Sequence, residues 1–142
     1  MLTQVHMTLI YCMTPVIWLV QLVQYPAFRY VDPDQFIEFH RHHSNWITTI
    51  VGPLMLADLG TAFWLVYEKP SSAFLLVNLA SIIAIFLSTF LVSVPIHEKL
   101  SLGFNRQAID KLITTNWIRT FLYSLRCLAW TYFYFSPSIP NG

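Results

Sequence analysis

Four long apolar segments limit the folds that this chain can adopt. Each is close to the ~20 residues that a helix needs to span the hydrocarbon core of a bilayer. The segments lie at about residues 5–23, 46–67, 73–94 and 117–135. Because no water is available inside a bilayer, backbone N–H and C=O groups must be paired internally, which favours helices. The segments therefore predict an all-α, polytopic membrane protein that forms an antiparallel four-helix transmembrane bundle.

The connections between the segments are short enough for a single domain over residues 1–142. The second and third segments are separated by only a few residues, so their helices must be neighbours. The second helix is expected to start early, with Asp32 as its N-cap and Pro33 as its first residue. The expected helices are at about residues 5–24, 33–68, 72–96 and 107–135.

The low content of charged residues supports the lipid bilayer as the main partner. Only 11% of the residues are charged and 56% are hydrophobic, whereas soluble domains typically carry about 25% charged residues. A water-soluble fold of this length has too little interior to bury so many apolar side chains. The net charge of +1 excludes a nucleic-acid partner, which requires a basic surface.

The distribution of Lys and Arg predicts the orientation of the bundle. Six of the eight basic residues lie near the first and third connections, whereas only Lys69 lies in the second. The six are Arg29, Arg41, Lys99, Arg106, Lys111 and Arg119. Connections rich in Lys and Arg stay in the cytoplasm. We therefore expect a protein of the inner (cytoplasmic) membrane with both termini on the non-cytoplasmic side.

Three of the five histidines lie in one short stretch, FHRHHSNW, at residues 39–46. At about 100° per residue, two of them share one face of the second helix and His42 points away. The expected topology brings polar side chains of the third and fourth helices to the same membrane level. We therefore predict a polar pocket at the cytoplasmic end of the bundle. Its candidate catalytic residues are His40, His43, His97, Asn116 and Arg119.

The histidines of this pocket are compatible with three kinds of chemistry. His40, His43 and His97 are the candidate ligands of a three-nitrogen metal site. A haem would instead need two of them to face each other across helices. Without any cofactor, His40 or His43 is the candidate general base, and Arg119 would stabilise an oxyanion that His97 and Asn116 orient. The sequence leaves these alternatives open.

Two charged residues, Asp58 and Arg126, lie deep within the apolar segments. Each is nine residues from the outer end of its segment. An isolated charge at this depth costs several kcal/mol, so each needs a partner. We therefore predict a buried structural ion pair between Asp58 and Arg126, with Asn78 or Ser81 of the third helix beside it.

Short motifs at the cytoplasmic ends of the helices resemble a known family. They are YPAF after the first helix, VPIHEKL at the end of the third and LITTNWIRT at the start of the fourth. In this order they resemble the small four-helix membrane proteins that include the fungal anthrone oxygenases. The positions that match the family pattern are Pro26, Pro95, Leu100, Arg119 and Thr120. The positions that depart from it, where the family usually has His, Asn and His, are Tyr25, His97 and Asn116.

The resemblance implies oxidation of a polycyclic anthrone by dioxygen. Our first hypothesis is therefore a small membrane oxidoreductase, similar to the anthrone oxygenases, that binds a lipophilic aromatic or quinone-like molecule. The alternative is a non-catalytic accessory subunit of a larger membrane complex or a homo-oligomer, for which eleven Phe, seven Tyr and five Trp would supply contacts. A haem- or metal-binding four-helix membrane protein is a third hypothesis.

Overall fold

The structure is a computed structural model, and it describes residues 1–136. Within this range the regular secondary structure is entirely helical, without any strand. The described helices are α1 (Leu2–Tyr30), α2 (Phe36–Glu68), α3 (Ala73–Leu100) and α4 (Arg106–Phe135). The predicted all-α class is thereby confirmed.

Three of these helices, α1 to α3, are long and apolar enough to cross a membrane. The fourth span expected from the sequence, in α4, is not among them, because Arg119 and Arg126 lower the mean hydropathy of that helix. Large apolar side chains point outward, as shown by Leu56 of α2 (64% exposed) and Phe90 of α3 (59% exposed). A helix that is apolar on its outer face as well as its inner face is typical of a membrane protein.

Helix α2 begins later than the sequence analysis predicted. Asp32 was expected to cap it, but its carboxylate accepts a hydrogen bond from the backbone N–H of Asp34 at 2.9 Å. This contact stabilises a turn over residues 33–35, as Asp side chains commonly do. The helix then starts at Phe36 with Gln35 as its N-cap, so the prediction that Pro33 is its first residue was wrong.

Helices α1 and α3 share a local irregularity near one end. Each contains a five-residue π-helical turn, Val20–Gln24 in α1 and Thr89–Ser93 in α3. In both helices a proline follows two residues later, at Pro26 and at Pro95. Proline has no N–H to donate and its ring clashes with the carbonyl four residues earlier, which here lies inside the π-turn. π-helical turns are frequent at functional sites.

The helices pack so that α1 and α3 each contact both α2 and α4. Their buried side chains form three apolar clusters along the molecule. The first cluster combines residues from the C-terminal parts of α1 and α3 with residues from the N-terminal parts of α2 and α4. The third cluster combines residues from the N-terminal parts of α1 and α3 with residues from the C-terminal parts of α2 and α4. The first cluster includes Phe28 and Leu100, and the second includes Met55 and Ile82. The third includes Leu65 and Trp130.

Helices α2 and α3 do not stay together along their whole length. The first half of α3, Ala73–Ser88, packs closely on α2, whereas the second half makes few contacts with it. The two helices therefore diverge near the first apolar cluster, and a cleft opens between them.

Candidate functional site

The cleft between α2 and the second half of α3 has a volume of about 630 Å³. Its walls are mainly apolar, with Ile47, Val51 and Leu56 on one side and Phe86, Phe90 and Val94 on the other. Its polar lining residues include His40, His97, Tyr25 and Arg119, so that all four helices contribute to the cleft. Small-molecule sites typically have this volume and combine apolar walls with a few polar groups.

The polar side chains of the cleft form one hydrogen-bonded row across the bundle. Arg119 donates from Nη2 to the hydroxyl oxygen of Tyr25 at 3.1 Å. The Tyr25 hydroxyl is 3.3 Å from His97 Nε2, and His97 Nδ1 is 3.0 Å from His40 Nε2. We call Arg119, Tyr25, His97 and His40 the polar row. It links one residue from each helix.

Two proton arrangements satisfy the hydrogen bonds of the polar row. Because a guanidinium only donates, the Tyr25 oxygen accepts from Arg119 and its own hydrogen is available to His97 Nε2. His97 Nδ1 then carries a proton and donates to His40 Nε2. In the other arrangement His40 donates to His97, and His97 donates to Tyr25. Exchange between the two arrangements shifts protons among Tyr25, His97 and His40, whereas Arg119 keeps its protons and only donates.

Two of the predicted catalytic residues lie outside the cleft lining. His43 is buried against Phe28, with ring centroids 5.0 Å apart, and its Nε2 has no hydrogen-bond partner within residues 1–136. Asn116 donates to Gln21 at 2.8 Å, between α1 and α4. The cleft therefore brings together His40, His97 and Arg119 of the predicted set.

Tyr25 was not among the predicted site residues, although it lies between Arg119 and His97 in the row. The sequence feature that could have indicated Tyr25 as a site residue is its position before Pro26, at the end of the first apolar segment. A lone tyrosine at a membrane boundary is usually an interfacial anchor, which hid its role. The structure buries it, with 4% of the residue exposed.

The predicted metal ligands His40 and His97 face each other in a direct hydrogen bond. Their rings are nearly parallel, with centroids 5.2 Å apart. In the part of the chain that the structure describes, no group of three or more His, Cys, Asp or Glu residues has an arrangement that could hold a metal ion. His40 and His97 are therefore arranged as hydrogen-bonding partners, whereas the third candidate ligand, His43, packs against Phe28.

A second buried polar cluster lies toward the other end of the bundle. Arg126 donates from Nη1 and Nη2 to the two carboxylate oxygens of Asp58 at 2.6 and 2.7 Å, and from Nε to Asn78 at 3.1 Å. Trp130 also donates to Asn78, at 2.9 Å. The structure thus brings the predicted ion pair together and adds Asn78, whereas Ser81 bonds to the backbone of its own helix. We call this group the Asp58 cluster.

His6 belongs to the Asp58 cluster and was missed by the sequence analysis. Its Nε2 accepts from the Asn78 amide at 3.0 Å, and its Nδ1 is 2.7 Å from the Thr61 hydroxyl and 3.5 Å from Asp58. The ring is fully buried. Because His6 is near the start of α1, it lies toward the opposite end of the bundle from the histidines of the polar row.

The two polar clusters differ in how completely they are hydrogen-bonded. Asp58, Asn78, Arg126 and His6 all have partners for their side-chain polar atoms. In contrast, Arg119 Nε and His40 Nδ1 are buried without a partner among residues 1–136. A closed cluster is typical of a structural ion pair, whereas unused hydrogen-bonding groups beside a cleft are typical of a ligand site.

No family model, curated protein or solved structure matches this chain. The resemblance to the anthrone oxygenase family therefore stays a prediction. A function for the chain is inferred from the geometry of the cleft and the polar row.

Proposed function

We propose that this protein is an integral membrane protein that binds a lipophilic aromatic or quinone-like molecule in the cleft between α2 and α3. The observation that carries the proposal is the buried polar row beside the mainly apolar walls of the cleft. A ligand with an apolar ring system and a polar oxygen would match both parts. Its ring would lie between walls such as Val51 and Phe86, and its oxygen would reach Tyr25, His97 or Arg119.

The proposal includes an antiparallel arrangement of all four helices in the membrane. It is supported by the first apolar cluster, where late residues of α1 and α3 meet early residues of α2 and α4. The Lys and Arg distribution supports a cytoplasmic location for the cleft end, with both termini on the other side of a cytoplasmic membrane. Helix α4 would be the fourth span, and the other three helices would shield its buried arginines from the lipid.

The rim of the cleft favours entry of the ligand from the bilayer. Ile37, Leu56 and Phe90 line the cleft and are each at least half exposed on the outer surface of the helices. In a membrane, these side chains would contact acyl chains. A lipophilic molecule dissolved in the bilayer would then reach the polar row without crossing water.

The polar row also supports a chemical step, which we propose as the oxygenase-like part of the function. A neutral histidine accepts a proton from an acidic C–H or O–H group of the ligand, and Arg119 stabilises the negative oxygen that results. A ligand whose carbanion reacts with dioxygen, such as an anthrone, then needs no metal or organic cofactor from the protein.

A pair of glycine variants tests the proposed cleft. Gly52 lines the cleft and Gly60, on the same helix, does not. An added Cβ would meet nothing within 4 Å at either position, and replacing a helical glycine by leucine improves helix propensity by about 1 kcal/mol. We expect Gly52→Leu to fill the cleft and Gly60→Leu to leave it open.

The measurement is binding of an alkylated 1,4-naphthoquinone to detergent-solubilised protein, followed by quenching of tryptophan fluorescence. We expect Gly52→Leu to weaken binding at least tenfold and Gly60→Leu to bind as the unchanged protein does. Equal binding by both variants and the unchanged protein would show that the ligand does not occupy the cleft.

A further inference from the structure

The charge of Arg119 has no counter-charge in the structure. All seven Asp and Glu residues of the chain lie within residues 1–136. Asp58 is paired with Arg126, and Asp110 is paired with Arg29 and Arg106. The remaining five are all exposed, and none forms an ion pair with Arg119. They are Asp32, Asp34, Glu38, Glu68 and Glu98.

Arg119 is nevertheless almost completely buried, with 7% of the residue exposed. Its only side-chain partners in the described range are two neutral hydroxyls, Tyr25 at 3.1 Å and Thr89 at 3.4 Å. Two of its five N–H donors are used, and Nε has no partner. A buried guanidinium without a carboxylate is unfavourable, because neutral groups replace only part of its lost hydration.

We propose that the molecule bound in the cleft is an anion whose negative oxygen pairs with Arg119. The ligand class is a weakly acidic amphiphile, with a carboxylate or an ionised ring hydroxyl at one end and an apolar body along the cleft walls. This inference rests on the proposed function, and it adds the charge of the ligand to it.

The surroundings of Arg119 favour an anion over a neutral or cationic ligand. The guanidinium only donates, and the hydroxyl of Tyr25 can donate to a ligand when His97 donates to it. The only carboxylate that lines the cleft in the described residues is Glu98, and it is exposed. A negative oxygen placed at Arg119 would therefore meet donors without a competing acid.

Two matched pairs of ligands test the charge. The first pair is a 2-hydroxy-3-alkyl-1,4-naphthoquinone, which is ionised at neutral pH, and its 2-methoxy ether, which has the same ring system but no charge. The second pair is a long-chain fatty acid and its primary amide. Affinities are measured for the unchanged full-length protein and for Arg119→Gln in the same detergent.

We expect the unchanged protein to bind the anion of at least one pair about tenfold or more tightly than its neutral partner, as a charge-assisted hydrogen bond would give. In Arg119→Gln the two members of that pair should bind equally. Equal affinity for the charged and neutral members of both pairs in the unchanged protein would overturn the inference, whatever the variant does.

The outcomes separate this inference from the proposed function. Equal affinity within both pairs, with naphthoquinone binding abolished by Gly52→Leu, would support the cleft and refute the anion. Binding of the fatty acid alone would support the anion and refute the aromatic ligand class. The comparison of charged and neutral ligands in the unchanged protein needs no variant, so a folding defect of Arg119→Gln does not alter its outcome.

Discussion

Arg119 and Arg126 lie seven residues apart on the inward face of α4, and only Arg126 is paired with a carboxylate. Both are buried, with 7% and 3% of the residue exposed. The same helix thus carries a neutralised arginine in the Asp58 cluster and an uncompensated one in the polar row. We infer from this contrast that the Asp58 cluster stabilises the bundle, whereas the polar row belongs to the proposed ligand site.

The two arginines should respond oppositely to neutral substitution. Arg126→Gln leaves the carboxylate of Asp58 buried without its partner, and we expect a loss of about 3–5 kcal/mol in the free energy of unfolding. Arg119→Gln removes a buried charge that has no partner, so the ligand-free protein should be equally stable or more stable. Thermal unfolding in detergent, with circular dichroism as the readout, measures both effects. Similar destabilisation by both substitutions would contradict the assignment of Arg119 as uncompensated.

His6 should contribute to stability although it is remote from the cleft. His6→Ala removes the acceptor of the Asn78 amide and the partner of the Thr61 hydroxyl. We expect a loss of about 1–3 kcal/mol, because a buried donor would be left without a partner. His42→Ala is the matched control, since His42 is exposed and its loss should change stability by less than about 0.5 kcal/mol. Equal effects of the two variants would show that His6 has no structural role.

The hydroxyl of Tyr25 should matter for ligand binding. Tyr25→Phe removes the atom that joins Arg119 to His97, and we expect the affinity for a cleft ligand to fall about tenfold. Tyr11→Phe is the control, because it removes an exposed hydroxyl bonded to Thr131 at 2.9 Å. Fluorescence titration of both variants gives the comparison, and unchanged affinity in Tyr25→Phe would argue against the polar row as the ligand contact.

The two neighbouring histidines of α2 should differ in an oxygenase assay. His40 lines the cleft and belongs to the polar row, whereas His43 packs behind it against Phe28. With an anthrone as substrate, we expect dioxygen consumption above the spontaneous rate in the unchanged protein, most of it lost in His40→Ala and most of it retained in His43→Ala. A larger loss in His43→Ala would identify His43 as the proton acceptor in place of His40. Consumption that never exceeds the spontaneous rate would limit the protein to binding.

Some of this architecture follows directly from the sequence. Asp58 and Arg126 could be matched because charges in apolar segments are few and each needs a partner. Helical phase correctly separated His40 from the exposed His42. The start of α2 was placed too early, because the carboxylate of Asp32 stabilises a turn instead of capping the helix.

The sequence predicted a polar pocket, but the position of the cleft between α2 and α3 could not be predicted from it. The cleft exists because α3 diverges from α2 after Ser88, and this divergence depends on how all four helices pack. Whether a polar side chain faces the cleft or an adjacent helix depends on the same packing. Asn116 therefore looked equivalent to Arg119 in the sequence, yet it bonds to Gln21 of α1 and does not line the cleft.

The paired π-turns of α1 and α3 lie at the polar-row end of the bundle, and the helices of residues 1–136 have no such turn near the Asp58 cluster. Tyr25 directly follows the π-turn of α1, and His97 lies four residues after that of α3. A π-turn holds about one residue more than a regular turn, and such turns are frequent at functional sites. We expect both residues to rotate together around a ligand while the Asp58 cluster stays fixed, so that one rigid scaffold accommodates ring systems of different width.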